Sequence, residues 1–476
     1  MKSYDAVVIG GGILGCFAAR ELTRYELRVA LLEKREDVCT GISRANTAIV
    51  YAGCDHKPGT LKAKLTLEAN RDFDRLCGEL GVRFRRCGAL EVSVGERGDR
   101  ALREKLARAL SMGVPGLRLL SAAEVREKEP ALGGSVRSAL WIPTAGIVDV
   151  WELCYAAFEN AVANGCDRLL NTEVKAIERC DGSYVLHTDG GDIRSKAVVN
   201  CAGLYADRVH AMLFASDTRI VPDASDCVIL ERDSVTLEHI VEVESEDGGK
   251  AWSVVPTVGG SVLLESGARE PDAESSAVSA ENVKRLCSMS EALLPSLREG
   301  RMIRSFAAVR PNPYRNGESI GSFVIERPEP GFLSFIGIKT PGLTCAASLG
   351  KIAADAVSSH LNAARREDFH AERKAPIRVR ELDTEARAAM IAVDPDVGEQ
   401  LCLCEDITRA EVLDAIRRGA STLDGVKRRC GVMLGACQGS RCQQRIAELI
   451  SRERGININE VTKSGDASYV TGCRHG

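Results

Sequence analysis

The sequence predicts an α/β protein: a Rossmann-like dinucleotide-binding domain, an α+β domain inserted into it, and a small helical domain at the C-terminal end. Three observations carry this. Gly10, Gly12 and Gly15 stand in G-x-G-x-x-G spacing between an apolar run, Val7 to Ile9, and a helical stretch, Ile13 to Arg24. Two later glycine-bearing turns, Ala202-Gly203 and Gly337 to Thr344, bracket a strand-rich stretch. Near the end, Cys402-x-Cys404 is followed after thirty-two residues by Cys437-x4-Cys442.

The first forty residues justify the nucleotide site. Val7, Val8 and Ile9 read as a buried strand, and Leu14, Phe17, Ala18 and Leu22 share one face of the following helix. A second strand, Val29 to Leu32, ends at Glu33. In this context the first glycine permits the tight turn and the second lets backbone N–H groups approach a pyrophosphate. The third brings helix and strand together. The pyrophosphate sits at the positive end of the helix. Glu33 stands where a carboxylate accepts hydrogen bonds from an adenosine ribose and disfavours a 2′-phosphate. FAD or NAD is the expected ligand, and not NADP.

Small polar residues follow, with Ser43, Asn46 and Thr47 in a loop suited to wrapping a flavin ring or phosphates. Leu61 to Gly78 is a helix, Val82 to Val94 alternates like strands, and Ala101 to Met112 is a helix. Ser121 and Glu124 form a capping box for another. Pro143 to Asp149 reads as a turn before the helix Val150 to Asn164. Thr172 to Arg179 and Ser183 to Thr188 read as strands of a small sheet, and Lys196 to Gly203 as a parallel strand ending in a glycine turn. From Ile220 to Ser266 come strands with turns at Asp247-Gly248-Gly249 and Gly259-Gly260. Ser279 to Leu294 is helical. Strands from Phe306 to Ile336 are interrupted by Pro311-Asn312-Pro313 and Arg327-Pro328. Gly337 to Thr344 then opens a helix reaching Leu361, and a charged stretch reads as a linker. The expected division is 1–85, 145–219 and 321–362 for the nucleotide domain, and 86–144 with 220–320 for the substrate domain. A linker at 363–398, a cysteine domain at 399–455 and a tail at 456–476 complete it.

Composition narrows the class. At 476 residues the chain exceeds one core. With 45% hydrophobic residues, 27% charged and a net charge of −4, nothing points to nucleic acid or an anionic membrane. The longest uncharged runs, Ala6 to Ala19 and Ala251 to Leu264, are too short to span a bilayer. No secretory pattern opens the sequence, so a cytoplasmic protein is expected, with docking at the inner face of the membrane through a partner left open. The eighteen cysteines are then mostly reduced thiols, with Cys16, Cys77, Cys154 and Cys201 serving as core filler.

The C-terminal cysteines are different. Thr408 and Glu411 form a capping box, which places the first pair just before a helix, and Cys442 begins another. Helix N-termini and Arg441 favour anionic sulfur. Four thiolates suit a [2Fe–2S] cluster or zinc, although C-x-C is short for structural zinc. Cys430 and Cys473 stand outside the pattern.

The stretches VVIGGGILG, NTAIVYAG, KPGTLKAKL, VVNCAGLYAD, FAAVRP and GIKTPGLT resemble FAD-dependent oxidoreductases of the D-amino-acid-oxidase-like superfamily. The nearest groups are anaerobic-type glycerol-3-phosphate dehydrogenase large subunits and L-2-hydroxyglutarate dehydrogenases. The tail, CLCEDITRAEVLDAIRRGASTLDGVKRR with CQGSRC, resembles the bacterioferritin-associated-ferredoxin-like [2Fe–2S] domain fused to that subunit. The resemblance implies FAD held by Gly10, Gly12, Ile13, Leu14, Gly15, Glu33, Lys34, Ser43, Asn46, Thr47, Val174, Ala202, Gly203, Gly337, Gly342, Leu343 and Thr344. It implies a cluster on Cys402, Cys404, Cys437 and Cys442, and a second flavoprotein or other electron acceptor as partner.

It also places a substrate-anion arginine at Arg310, read here as a strand end; by their own chemistry His56 suits a proton acceptor and Lys339 an anion holder in the glycine turn, and Tyr51 joins them as a candidate. The sequence departs from the family at Tyr51, at Asp223-Ala224-Ser225-Asp226-Cys227 and at Gly259-Gly260-Ser261. The implied activity is oxidation of a small anionic hydroxy compound, of the glycerol 3-phosphate or 2-hydroxy acid class, with electrons leaving through the cluster. The alternatives are an amino-acid or opine-type amine dehydrogenase, and an electron-transfer subunit without a substrate of its own.

Overall fold

The computed structural model describes residues 1–243, 252–269, 277–465 and 467–471. The expected turn at Asp247-Gly248-Gly249, and Cys473, lie outside the described residues.

Short apolar segments build the first sheet. Lys2–Ile9 runs parallel to Val29–Leu32 on one side and to Ile193–Asn200 on the other. Asp167–Leu169 extends the parallel set beyond Val29–Leu32, and Phe332–Ile336 extends it beyond Ile193–Asn200. Strands buried on both faces read as continuous apolar runs, as Ala6 to Ile9 and Val29–Leu32 do. The hairpin Val174–Cys180 and Ser183–Thr188 is not a separate small sheet. It joins this one, along the first half of Ile193–Asn200. The helices Ile13–Leu22, Val150–Ala163 and Gly342–Leu361 pack together in its main core. A Cβ on Gly350 would lie 2.8 Å from the Phe17 backbone, so two of these helices meet almost backbone to backbone.

Among the described residues the second sheet has nine strands, in the order Glu318–Ser319, Met302–Arg315, Thr218–Leu230, Val262–Arg269, Trp252–Pro256, Ile240–Val243, Ala89–Ser93, Ser138–Ile142 and Arg118–Ser121. One face packs on the helix Ala280–Leu293. The other carries Cys227, Leu263, Val255, Ile240 and Ala89 toward the flavin-loop residues Ile49 and Ala52. Residues Pro143 to Asp149 hold more than the expected turn. Gly146–Val148 forms a strand between Ile49–Val50 and Phe84–Arg85.

Met302–Arg315 also departs from expectation. It is not interrupted at Pro311-Asn312-Pro313 but pairs with Thr218–Leu230 along its whole length. Pro311 stands opposite Pro222. Neither has an N–H, so this is a non-hydrogen-bonded pair whose nitrogens face away from each other. The outer side needs no donor there, since Glu318–Ser319 pairs only with Tyr314 and Arg315. Arg327-Pro328 likewise sits inside Val324–Glu329, at a register shift against Phe332–Ile336.

Residues 363–398, expected as a linker, are docked and partly helical. Thr384–Val393 is a helix, and Val379 and Val397 are buried. The C-terminal unit joins the hairpin Gln400–Cys402 and Ile407–Thr408 to the helices Arg409–Arg417, Leu423–Cys430 and Gln443–Arg454 around its own apolar core. Among the described residues no helix is long and apolar enough to cross a membrane.

Candidate active site and cysteine centre

The glycine turn is shaped by contacts that a side chain would destroy. A Cβ on Gly10, where φ is +107°, would lie 2.5 Å from the Cys201 carbonyl oxygen. One on Gly15 would lie 1.9 Å from the Gly10 carbonyl oxygen. At Gly12 the nearest atom to such a Cβ is Ser43 Oγ, at 3.2 Å, and the remaining space is open. Ser43 Oγ accepts the Ile13 N–H at 2.9 Å, which draws the polar loop across the turn. Helix Ile13–Leu22 has no side-chain cap and no acid in its first turn, and Gly342–Leu361 has neither as well. Apart from the Ile13 N–H held by Ser43, both helix starts therefore offer their positive ends to an anion.

Glu33 accepts Gly11 N–H at 2.7 Å and Arg35 N–H at 2.9 Å, and burial raises its pKa despite them. Each carboxylate oxygen keeps a second lone pair for a ribose hydroxyl. Lys34 turns aside and lies over the Tyr205 ring at 3.6 Å. Val174 is buried against Ile9 and Leu32. Asn46 braces its own loop through Ser43 O and the Ala48 N–H. Ala202 and Gly203 form the turn where Ile193–Asn200 ends. Gly337, at φ +67°, abuts the Pro313 ring, where a Cβ would lie 2.5 Å away. Thr344 Oγ1 accepts the Tyr51 N–H at 3.1 Å, and Thr47 is hydrogen-bonded to the Tyr51 side chain. Leu343 packs at the edge of the main core. The residues expected around FAD thus converge on the carboxyl ends of the parallel strands, where ligands of such sheets bind.

The expected substrate residues lie between the two sheets. Arg310 is not at a strand end but inside Met302–Arg315. Its Nε donates to Asp223 at 2.7 Å, and Glu265 is 3.9 Å from Nη1. Its Nη2 is buried without a hydrogen-bond partner. Lys339 Nζ donates to Asn312 Oδ1. His56 is depressed by burial, and its Nε2 has no hydrogen-bond partner.

Lys62, which the sequence reading did not single out, is 6% exposed and donates to Thr340 O at 3.1 Å. Burial and the neighbouring Lys339 lower it to about 8. Its place in the quoted stretch KPGTLKAKL was the available signal. A set of carboxylates was missed as well. Lys105 is paired with Asp55 and, at 2.5 Å, with Glu91. Glu242 stands opposite Glu91 across two strands, and burial, Asp55 and Glu91 push it up to about 8. Burial and then Glu242, Glu265 and Asp55 raise the Tyr51 phenol well above its usual range.

The four C-terminal cysteines come together. Cys402 closes one hairpin strand and Cys442 caps Gln443–Arg454. The Cys442 thiol donates to Cys402, which falls to about 6, and further donors are the backbones of Met433, Glu405 and Cys404. The Cys404 thiol donates to Cys437. Burial opposes ionisation of Cys437, but the N–H groups of Arg441 and Gly439 outweigh it and lower its pKa. A Cβ on Gly435 would lie 2.6 Å from that of Cys404, so only glycine lets this loop close. Among the described residues no three His, Cys, Asp or Glu side chains gather tightly enough to hold one ion. The sulfurs meet as two pairs, ringed by N–H donors, which fits a two-iron anionic cluster better than one zinc. Cys430 instead donates to Val426 O, with its thiol pushed up to about 12 by burial.

Comparison with known proteins matches both modules. Residues 5–356 match the model of the FAD dependent oxidoreductase family, and residues 400–452 that of the BFD-like [2Fe-2S] binding domain. Over 474 residues, 98% of each chain, the sequence is 34% identical to a glycerol 3-phosphate dehydrogenase of Caloramator mitchellensis. It is 33% identical over 245 residues to human mitochondrial L-2-hydroxyglutarate dehydrogenase, covering 48% of this chain and 52% of that one. Among solved structures, dithionite-reduced L-alpha-glycerophosphate oxidase from Mycoplasma pneumoniae with FAD bound superposes with a TM-score of 0.73 at 24% identity. That match covers 79% of this chain and all of the other, and it speaks to the fold alone.

Proposed function

The chain belongs to the FAD-dependent oxidoreductase family and is a dehydrogenase with its own [2Fe–2S] exit for electrons, and from that premise we propose that its substrate is a small anionic hydroxy compound of the glycerol 3-phosphate or 2-hydroxy acid class. The observation that carries this is the 34% identity to a glycerol 3-phosphate dehydrogenase, sustained through both modules over 98% of each chain. Bound FAD would supply the hydride acceptor, and a [2Fe–2S] cluster a one-electron exit.

The chain's own groups do the rest. The glycine turn with Ser43, and the start of Gly342–Leu361, hold the dinucleotide by backbone donors and helix ends. Arg310 Nη2 offers a buried donor to a substrate oxygen. His56, kept neutral by burial, takes the hydroxyl proton on Nε2. Lys62 and Lys339 balance negative charge beside the Gly337 to Thr344 turn. Cys402, Cys404, Cys437 and Cys442 hold the cluster, and a second flavoprotein or other acceptor subunit, at the inner membrane face in this reading, receives the electrons.

One observation favours a second reading, oxidation of an amino acid or related amine. Asp223 and Glu265 flank Arg310, and Glu242 lies on the same face of the sheet, so an ammonium group finds acidic company there. Anaerobic titration with glycerol 3-phosphate, 2-hydroxy acids and amino acids, followed by flavin absorbance, decides between them. Bleaching by an amine alone overturns the first reading, and bleaching by none leaves only an electron-transfer subunit.

A further inference from the structure

Asp37 lies four residues beyond Glu33, in the loop that crosses the glycine turn. Its side chain is 2% exposed. Arg429, from the cluster-domain helix Leu423–Cys430, grips it with both nitrogens of the fork, Nη1 to Oδ2 at 2.6 Å and Nη2 to Oδ1 at 2.9 Å. Arg428 Nη2 stands 3.6 Å from Oδ2. Tyr155, on the buried helix Val150–Ala163, donates its hydroxyl to Oδ2 at 3.0 Å and accepts Arg428 Nε at 2.8 Å. The Arg429 guanidinium lies over the Tyr155 ring at 3.8 Å. Burial works against the Asp37 carboxylate, yet the two arginines hold it below its usual range.

On its other side this loop is tied to the nucleotide turn. Cys39 N–H donates to Gly11 O at 2.9 Å. A Cβ on Gly11 would lie 2.9 Å from Val38 Cγ1. Ser43, six residues beyond Asp37, accepts the Ile13 N–H. One short loop therefore touches the cluster domain with its first residues and the glycine turn with its next ones.

We infer that Asp37, Arg429, Arg428 and Tyr155 form a latch through which the seated cluster domain holds the loop closed over the FAD site, so that docking of the electron exit and retention of the flavin are coupled. These are positioning residues, since none is placed among the cofactor contacts or the cluster ligands. Removing Arg429 leaves Asp37 as a buried charge without its main partner, and the loop gives way before the rest of the fold. Some docking contacts bypass the loop. Arg418, for example, pairs at 3.0 Å with Glu159, one turn along the Val150–Ala163 helix from Tyr155.

The inference rests on the siting of FAD at the Gly10–Gly15 turn, and the test separates the two. Full-length protein purified anaerobically with both cofactors is compared as wild type, Arg429→Lys, Asp37→Asn, Arg418→Ala and Gly12→Val. Release of FAD on dilution is followed by flavin fluorescence, and the cluster by EPR after reduction with dithionite. Arg429→Lys and Asp37→Asn are expected to release FAD about tenfold faster with the cluster signal intact, because lysine keeps the charge but loses the two-nitrogen fork, and asparagine leaves two buried arginines without their carboxylate. Arg418→Ala is expected to match the wild type, and Gly12→Val to lose FAD outright.

Wild-type retention in both latch variants, with loss in Gly12→Val, overturns the latch alone. Retention in Gly12→Val overturns the siting of FAD, and the latch with it. An equal effect of Arg418→Ala reduces the latch to ordinary domain docking and overturns it as well. If the charge variants do not fold, Tyr155→Phe decides, since it removes one hydroxyl from the same carboxylate. A rise of about threefold in FAD release supports the latch, in line with one lost hydrogen bond, and no rise overturns it.

Discussion

Lys62 makes a prediction about pH. Burial and Lys339 lower its pKa from 10.5 to about 8. Between those values the unfolded chain binds a proton that the folded chain has released. Stability from this residue therefore rises with pH across that window, and below it the buried cation costs its full penalty. Lys62→Met is expected to be more stable than wild type at pH 7.5, with the gap narrowing by up to about 1.4 kcal/mol per pH unit toward pH 9.5. Urea midpoints of the FAD-bound proteins check it, and a gap independent of pH contradicts a depressed Lys62.

Arg310 makes a prediction about catalysis. Arg310→Lys keeps a charge for Asp223 but removes the fork, including the buried Nη2. With whichever substrate bleaches the flavin, kcat/KM is expected to fall by an amount worth roughly 1.5–3 kcal/mol, the range for hydrogen bonds to charged groups. FAD content is expected to stay unchanged. Wild-type kcat/KM in both Arg310→Lys and Arg310→Ala leaves Arg310 as a partner of Asp223 and nothing more.

Among elements, those specified by local chemistry were legible in the sequence. Both capping boxes form as read, Ser121 with Glu124 and Thr408 with Glu411, because each is closed within four residues. The strand–turn–helix–strand around Gly10, Gly12 and Gly15 is equally local. Met302–Arg315 was illegible at Pro311 and Pro313, because proline is excluded only where its nitrogen faces a partner strand. Which side that is depends on a pairing set ninety residues earlier. The cysteine hairpin tests the second cofactor. Protein purified without oxygen is expected to carry about two irons per chain, as its cluster type requires. Cys404→Ser is expected to lose the reduced-state EPR signal and keep FAD, since Cys404 belongs to a core separate from the one beneath the glycine turn. Zinc in place of iron, or loss of FAD together with the cluster, runs against this.

On the scale of the whole molecule, the pairing of modules was readable while their contact was not. Asp37 and Arg429 are 392 positions apart, and nothing in either local pattern announces the other. The carboxylates Glu91, Glu242 and Glu265 likewise align only once four strands are in register. No second nucleotide fingerprint for NAD accompanies the first in the sequence, so the chain alone, given the substrate that bleaches it, is expected to reduce NAD negligibly. A one-electron acceptor dye is expected to restore turnover. NAD reduction by the isolated chain at the rate seen in cell extract removes the need for a partner.

The outer side of Met302–Arg315 also limits how such a partner can attach. Peptides and proteins often bind a sheet by zipping on as one more strand, drawing affinity from main-chain hydrogen bonds. Pro311 and Pro313 are buried there, the Pro313 ring packs on Gly337 and its carbonyl accepts the Ile320 N–H at 2.8 Å, so the chain itself already occupies that stretch of the margin. An added strand, whether a partner's or a second copy's, finds no open main-chain template along those residues, and an acceptor has to be recognised elsewhere on the surface.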